Sequence, residues 1–301
     1  MDHTTLVTGV FPAMTTPFAA DGSIDFDRLQ AHARRLVDGG VDGLVPVGST
    51  GESATLTHDE HVQVVEAVVE AAGDDVPIIA GSGSNSTHEA LDLSQRSVDA
   101  GADALLLISP YYNKPEPEGM EAHYREIADE VDAPQIIYNV PSRTGRNIAV
   151  ETADALASHE NVVGYKAASG DLGRISEVVE RTRSEDFAVL SGDDGLTLPV
   201  LSVGGTGTIS VTANVEPERV SDLVWTALEG DYEAARERHH ELAPLNRALF
   251  AETNPIPVKA AQEIRGDGPA RYRSPLTQPD DATWERLREA LDALDEPEVP
   301  A

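Results

Sequence analysis

Cysteine is absent from this 301-residue chain, and lysine is scarce. Without cysteine there can be no disulfide, no thiolate chemistry and no cysteine-ligated metal site. Three lysines stand against nineteen arginines, and 53 acidic residues outnumber the 22 basic ones, which gives a net charge of −31. Binding to nucleic acid needs Lys and Arg to neutralise phosphates, so this charge argues against a nucleic-acid partner.

Long apolar runs and a basic N-terminal segment are also missing. No stretch approaches the roughly 20 apolar residues of a membrane span, and the first residues, MDHTT, do not resemble a secretory signal. We therefore expect a cytoplasmic protein with no membrane partner. The acidic residues are spread over the whole chain, which favours a surface adapted to the molar salt of a halophile, where the Debye length is about 3 Å.

Short apolar runs rich in Val and Ile recur along the chain, and amphipathic segments separate them. The runs do not alternate with polar residues, which is typical of strands buried on both faces. One amphipathic segment covers residues 25–38, and another begins with the capping-box pattern Thr57-His-Asp-Glu60. The predicted strands are residues 9–14, 43–47, 76–80, 104–108, 135–140, 162–166, 187–190 and 208–211.

Eight strands that alternate with helices over about 215 residues predict a parallel α/β architecture, a closed (β/α)₈ TIM barrel. We assign the barrel to residues 1–216 and a C-terminal helical region to residues 217–301. An open doubly wound sheet is the alternative, but no Gly-x-Gly-x-x-Gly follows the first strand.

Lys166 lies inside the apolar run of residues 161–169, NVVGYKAAS. Burial disfavours the ammonium form, lowers the pKa and makes the amine a nucleophile that can form a Schiff base with a ketone. The alternative is a strand lysine that extends towards solvent or pairs with a carboxylate.

Polar residues follow several predicted strands, at the ends where a (β/α)₈ barrel carries its active site. The segment 48–53, GSTGES, is either a capped turn or a site where amides at a helix N-terminus bind a small carboxylate. Tyr138 is a core tyrosine or a site residue, and Arg143 is a surface ion-pair partner or an anion ligand. Asp193 and Asp194 have no further ligand at suitable spacing, so we expect no metal ion.

In combination these segments resemble the pyruvate-dependent class I aldolases, the family of N-acetylneuraminate lyase and dihydrodipicolinate synthase. The shared features are GSTGE at residues 48–52, Tyr138 and Lys166. The dihydrodipicolinate synthase branch is the closer match over residues 9–294. Its signature segments match residues 138–145 (YNVPSRTG), 191–194 (SGDD), 208–214 (TISVTAN) and 254–259 (NPIPVK).

The resemblance implies an enzyme that condenses pyruvate with L-aspartate 4-semialdehyde in the diaminopimelate pathway to lysine. Lys166 would form the Schiff base with pyruvate, so no metal or nucleotide cofactor is implied. Tyr138 would be the proton shuttle. It would form a hydroxyl relay with Ser49 and with Tyr112, which would reach in from a neighbouring subunit.

The resemblance also implies how the two substrates bind. Thr50 and adjacent amides would hold the carboxylate of pyruvate, and Arg143 would bind the carboxylate of the semialdehyde. The main chain at Gly192 and Ile209 would line the pocket.

A second site is implied at a subunit interface, where L-lysine would bind as a feedback inhibitor. The implied assembly is a homotetramer built from two tight dimers. The positions that match the inhibitor site are Ser53, Ala54, His58, His61, Asn85, Glu89 and Tyr111.

Two departures and two other functions remain to be weighed. Ser49 stands where the synthases more often have Thr, and Ala167 stands where they usually have an acidic residue. A 2-keto-3-deoxy sugar-acid aldolase would share Lys166 and Tyr138, but Arg143 favours the synthase because polyhydroxy aldehydes offer no second carboxylate. A catalytically inactive amino-acid sensor is disfavoured by the intact catalytic residues. The sequence suggests no role for the remaining lysines, Lys114 and Lys259.

Overall fold

Parallel strands form a single curled sheet in the computed structural model, which describes residues 6–295. Hydrogen-bonded neighbours follow the order β1-β7-β6-β5-β4-β3-β2. The strands are β1 (Gly9–Pro12), β2 (Ile79–Gly81), β3 (Ala104–Ile108), β4 (Gln135–Asn139), β5 (Val162–Ala167), β6 (Ala188–Ser191) and β7 (Gly207–Ser210).

The sheet closes through residues 43–47, which we predicted to be the second strand. This segment pairs in parallel with both edge strands through isolated bridges, which join Ala13 to Val45 and Leu44 to Ile78. Pro46 has no amide hydrogen to donate, and Val47 takes a φ of 51°, so no continuous ladder forms here. The predicted closed (β/α)₈ barrel is confirmed, with its second strand reduced to two bridges.

Helices follow the strands as expected. The predicted capping box is present, since Thr57 Oγ1 accepts from the amide of Glu60 at 3.2 Å and the Glu60 carboxylate accepts from the amide of Thr57 at 2.9 Å. The helices are α1 (Phe26–Asp38), α2 (His58–Ala72), α3 (Thr87–Asp99), α4 (Pro117–Glu130), α5 (Pro141–Thr144), α6 (Val150–Ala157), α7 (Leu172–Thr182), α8 (Thr197–Ser202), α9 (Pro217–Leu228), α10 (Tyr232–Leu249), α11 (Ile256–Arg265) and α12 (Asp281–Asp295). Short 3₁₀ turns cover Ser53–Thr55, Asp194–Leu196 and Thr212–Asn214.

Two apolar clusters cover the two faces of the sheet. An inner cluster fills the barrel and includes Leu106 and Tyr138, whereas an outer cluster lies beneath the helices and includes their neighbours Leu107 and Ile137. Both faces of each strand are therefore buried, which explains the continuous apolar runs.

An irregularity in the pairing of β4 with β5 decides which way β5 faces. The register shifts between Gln135 and Ile136, and as a result Val163 belongs to the inner cluster while Tyr165 belongs to the outer one. Strict alternation would have put both on the same face. After the shift, Lys166 pairs directly with Tyr138 and shares its inner face.

The C-terminal helices form a third cluster, to which α10, α11 and α12 contribute. Helix α9, which we assigned to the C-terminal region, instead packs against β1, and its Val220, Leu223 and Val224 belong to the outer barrel cluster. The predicted division after residue 216 therefore cuts between the last strand and its own helix. No helix within residues 6–295 is long and apolar enough to cross a membrane.

Candidate active site

Lys166 lies near the C-terminal end of β5 and is only 5% exposed. Its Nζ is 4.3 Å from the centroid of the Tyr138 ring. Gly192 makes room for the chain, because a Cβ at that position would lie 2.9 Å from Lys166 Cε. Burial at this depth rules out the alternative of a lysine that extends to solvent.

Burial lowers the pKa of Lys166 to about 7, with a further lowering by Arg143, although the Asp194 carboxylate acts in the opposite direction. About half of the amine is then neutral at pH 7, compared with roughly one molecule in 3,000 for an ordinary lysine. Burial also raises the pKa of Tyr138 to about 12, so its hydroxyl keeps its proton. A nucleophilic amine therefore stands beside a protonated phenol.

The loop of residues 48–53 carries Ser49 and Thr50, which line the same cavity as Lys166. Thr50 is buried, and its Oγ1 accepts from Asn254 Nδ2 at 2.9 Å. The predicted helix N-terminus is not formed here, because α2 begins only at His58. The amides of Gly51, Glu52 and Ser53 donate within the loop to the carbonyls of Gly48 and Ser49. The role of the amides next to Thr50 in binding a carboxylate stays a prediction.

The loop is strained and is held from outside the barrel. Val47 and Glu52 have φ values of 51° and 56°, a region that non-glycine residues rarely adopt. The buried Glu52 carboxylate forms an ion pair with Lys259 of α11 and accepts from the amide of Arg273 at 3.2 Å. Lys259 Nζ also lies 4.2 Å from the centroid of the Phe18 ring. These contacts give Lys259 a structural role.

Arg143 lies on the short helix α5 that follows β4. Its Nη2 donates to the main-chain oxygen of Asn254 at 2.7 Å, and Arg143 borders the cavity described below. Gly145 ends this helix with a φ of 76°, and a Cβ there would clash with Lys114 Cε. Lys114 thus packs over the Arg143 loop.

These side chains border one open cavity of about 1430 Å³, larger than the usual pocket for a single small molecule. Ile209, whose main chain we expected to line the pocket, is not among the residues that border this cavity, whereas Val211 is. The side chain of Ile209 belongs to the inner cluster. The predicted residues that line the cavity are Ser49, Thr50, Ser53, Ala54, His58, His61, Glu89, Tyr111, Tyr112, Tyr138, Arg143, Lys166 and Gly192.

The residues predicted to bind lysine also line this cavity, except Asn85. Asn85 is absent from the lining, and its main-chain oxygen accepts from Asn113 Nδ2 at 2.9 Å. His58 Nε2 lies 3.1 Å from Glu89 Oε1, so these two side chains contact each other directly. His61 is buried, and burial lowers its pKa to about 4, so it is neutral at pH 7.

Tyr112 is 89% exposed and has a φ of 67°. A large aromatic side chain in this backbone conformation is unusual, and strain of this kind clusters at functional sites. The Tyr112 side chain borders the cavity, and the described residues leave most of its ring exposed.

From the sequence, Asp194 was considered only as a metal ligand and as part of the SGDD motif. Its buried carboxylate accepts from the amides of Val211 at 3.0 Å and Thr212 at 3.2 Å, and from the hydroxyl of Ser210. It therefore anchors the segment after β7. Within residues 6–295, no three His, Asp or Glu side chains are grouped in a way that would hold a metal ion; the absence of a metal stays a prediction.

Known proteins match the chain along almost its whole length. The sequence model of the Dihydrodipicolinate synthetase family matches residues 6–294. A relative from Haloarcula marismortui, named 4-hydroxy-tetrahydrodipicolinate synthase, is 68% identical over 287 residues, which are 95% of this chain and 94% of the relative.

Two solved structures share the fold. The chloride-inhibited dihydrodipicolinate synthase of Acinetobacter baumannii, in complex with pyruvate, has a TM-score of 0.93 at 40% identity and covers 96% of this chain and 99% of its own. The enzyme of Cyanidioschyzon merolae with lysine bound has a TM-score of 0.93 at 39% identity and covers 96% of this chain and 98% of its own.

Proposed function

The chain belongs to the Dihydrodipicolinate synthetase family, and we propose that it is a 4-hydroxy-tetrahydrodipicolinate synthase that joins pyruvate to L-aspartate 4-semialdehyde. The single observation that carries the proposal is the buried Lys166 beside Tyr138, in a cavity that Thr50 and Arg143 also line. The named relatives support the synthase and not the sugar-acid aldolase.

The reaction begins when the neutral amine of Lys166 adds to the ketone of pyruvate and water leaves. The resulting iminium is an electron sink, so a methyl proton can depart to give an enamine. Tyr138, Ser49 and Tyr112 pass this proton along their hydroxyls, which needs no strong base. The enamine carbon then attacks the aldehyde, and the amino group of the product displaces Lys166 as the ring closes.

Recognition of two carboxylates separates this reaction from its alternatives. Thr50 holds the carboxylate of pyruvate beside the amine. Arg143 offers a planar guanidinium that suits the carboxylate of the semialdehyde. Ala167, which replaces the acidic residue usual in the family, is buried in the outer cluster, and nothing in the structure explains that replacement.

Borohydride trapping tests the first step. Labelled pyruvate should become attached to Lys166, which peptide mass spectrometry distinguishes from the other two lysines. Lys114→Arg is the matched control and should be labelled like the unaltered protein, whereas Lys166→Arg should not be labelled. Attachment elsewhere, or none, would remove the Schiff-base mechanism. Condensation with aspartate semialdehyde, compared with cleavage of 2-keto-3-deoxygluconate, then separates the synthase from the aldolase.

Inhibition by L-lysine is supported by the cluster around His58, Glu89 and Tyr111 and by the lysine-bound relative. The Glu89 carboxylate can accept from the lysine ammonium if it gives up its contact with His58. Tyr111 is adjacent in sequence to the relay residue Tyr112. A movement of Tyr111 on lysine binding would therefore be transmitted through the backbone to the proton relay. A titration of activity should show inhibition, and a flat response up to millimolar lysine would refute the site.

Assembly as a homotetramer of two tight dimers is supported by the exposed, strained Tyr112, which a neighbouring subunit would cover. Dilution or interface variants that yield monomers should then lose most activity, as measured alongside light scattering. Fully active monomers would show that Tyr112 acts within one chain.

The acidity of the chain supports a cytoplasmic enzyme adapted to molar salt. Its net charge of −31 must be screened for the surface carboxylates to lie close together. Unfolding temperatures should therefore fall on dialysis from molar KCl to low salt. Unchanged stability would reject this adaptation.

A further inference from the structure

Asn254 contacts both residues that we propose bind substrate carboxylates. Its side-chain Nδ2 donates to Thr50 Oγ1 at 2.9 Å, and its main-chain oxygen accepts from Arg143 Nη2 at 2.7 Å. Asn254 lies outside the barrel, just before α11, and is 8% exposed. The proposed reaction assigns no role to Asn254.

The chemistry of the first contact restricts what Thr50 can do. A hydroxyl has one hydrogen to donate, whereas an amide NH₂ can only donate. Because Asn254 Nδ2 donates to Thr50 Oγ1, the hydrogen of that hydroxyl must go to another acceptor. Within residues 6–295, Thr50 Oγ1 makes no second hydrogen bond, and the cavity beside Lys166 is the polar space that Thr50 borders.

We propose that Asn254 is a positioning residue that turns the hydroxyl of Thr50 into a hydrogen-bond donor towards the carboxylate of pyruvate. The inference rests on the proposed role of Thr50. It gives the amide side chain a specific task, which is to set the direction of the Thr50 hydroxyl before substrate arrives.

The strain in the loop explains why the direction must be set from outside. Val47 and Glu52 have positive φ values on either side of Thr50, so the loop conformation depends on contacts elsewhere. The segment after α10 supplies them, through the Lys259–Glu52 ion pair and through Arg273 Nη1, which donates to the main-chain oxygen of Thr55 at 3.0 Å. Among these contacts, that of Asn254 reaches a proposed substrate-binding side chain.

The two contacts of Asn254 can be separated experimentally. The bond to Arg143 uses the main chain, so a side-chain substitution leaves that acceptor in place. A change at Asn254 should therefore weaken pyruvate binding much more than semialdehyde binding. A general loosening of the site would weaken both.

The test measures the pyruvate concentration that half-saturates Schiff-base trapping, together with KM for the semialdehyde, on the full-length chain at molar KCl. Asn254→Ala should raise the half-saturating pyruvate about 10-fold, because the freed hydroxyl keeps only part of its hydrogen bond to the charged carboxylate. Asn254→Asp keeps the shape but can only accept. It should raise the value further, about 100-fold, because it draws the Thr50 hydrogen away and adds a negative charge.

Thr50→Val distinguishes an effect through the hydroxyl from a structural one. In that background, Asn254→Ala should cause little further change in the half-saturating pyruvate, since no hydroxyl is left to orient. Additive effects would overturn the inference, as would an Asn254→Ala variant with unaltered pyruvate binding. If Asn254→Ala does not fold, Asn254→Leu in the two backgrounds gives the same comparison, because it also removes the amide donor, keeps a similar size and adds no charge. Loss of trapping by the unaltered protein would instead overturn the proposed function.

Discussion

Replacing Lys166 by Met should abolish Schiff-base formation and, at the same time, stabilise the protein near neutral pH. Lys166 is 5% exposed, and burial lowers its pKa to about 7 from an ordinary value of 10.5. The folded protein therefore holds this proton less tightly than the unfolded chain does. Met has a similar length, fills the same space against Gly192 and has no charge to desolvate.

The magnitude follows from the two pKa values. Between pH 7 and 10.5 the unfolded chain binds more protons at this site, so the stability of the unaltered protein rises with pH across that window. At 1.36 kcal/mol for each pH unit, the destabilising contribution is about 4 kcal/mol at pH 7 and about 1.5 kcal/mol at pH 9.5. The attraction between the Asp194 carboxylate and the Lys166 ammonium needs no separate correction, because the pKa of about 7 already includes it.

Denaturant unfolding of both proteins at molar KCl, at one protein concentration and at the two pH values, measures this contribution. The advantage of Lys166→Met should be large at pH 7 and should shrink by about 2–3 kcal/mol at pH 9.5. Lys114→Met, at an exposed position, is the control and should show no such pH dependence. An advantage that is the same at both pH values would refute the lowered pKa as the origin of the nucleophile.

Three further predictions concern other residues. Lys259→Met leaves the Glu52 carboxylate buried without its partner, so unfolding free energy should fall by about 3–5 kcal/mol, and a loss no larger than that of Lys114→Met would contradict this. Burial lowers the pKa of His123 to about 4, so the unfolded chain binds more protons below pH 6.5 and stability falls as the pH drops towards 4. His123→Gln should flatten this fall by about 3 kcal/mol in pH-dependent unfolding, and an unaltered acid profile would argue against it. Arg143→Lys should raise KM for the semialdehyde about 10- to 100-fold and leave pyruvate trapping intact, whereas weaker trapping would assign Arg143 to pyruvate instead.

The barrel and its nucleophile could be predicted from the sequence because both leave local signals. Strands buried on both faces produce continuous apolar runs, and eight of them at regular spacing leave few architectures. Lys166 was conspicuous because a lysine within an apolar run is unusual in a chain with only three. The capping box at Thr57 and Glu60 could also be predicted from the sequence, since its partners are three residues apart.

Other features were mispredicted for identifiable reasons. The second strand is interrupted because Pro46 and Val47 break its ladder, although the run looks apolar. The predicted roles of Ile209 and Asn85 stay predictions, since neither residue is among those that line the cavity. Helix α9 belongs with the barrel because its apolar face packs against β1.

By itself, the sequence determined that a parallel barrel forms and that it carries a lysine able to become a nucleophile. Only the tertiary structure decided that Lys166 faces the interior, because the register shift beside β4 reverses the alternation of β5. It alone joined Thr50 to Asn254 and Glu52 to Lys259, pairs that lie 204 and 207 residues apart. A local pattern reports hydrophobicity and turn chemistry over a few residues. Contacts across 200 residues depend on how whole elements pack, and it is these contacts that orient the groups in the site.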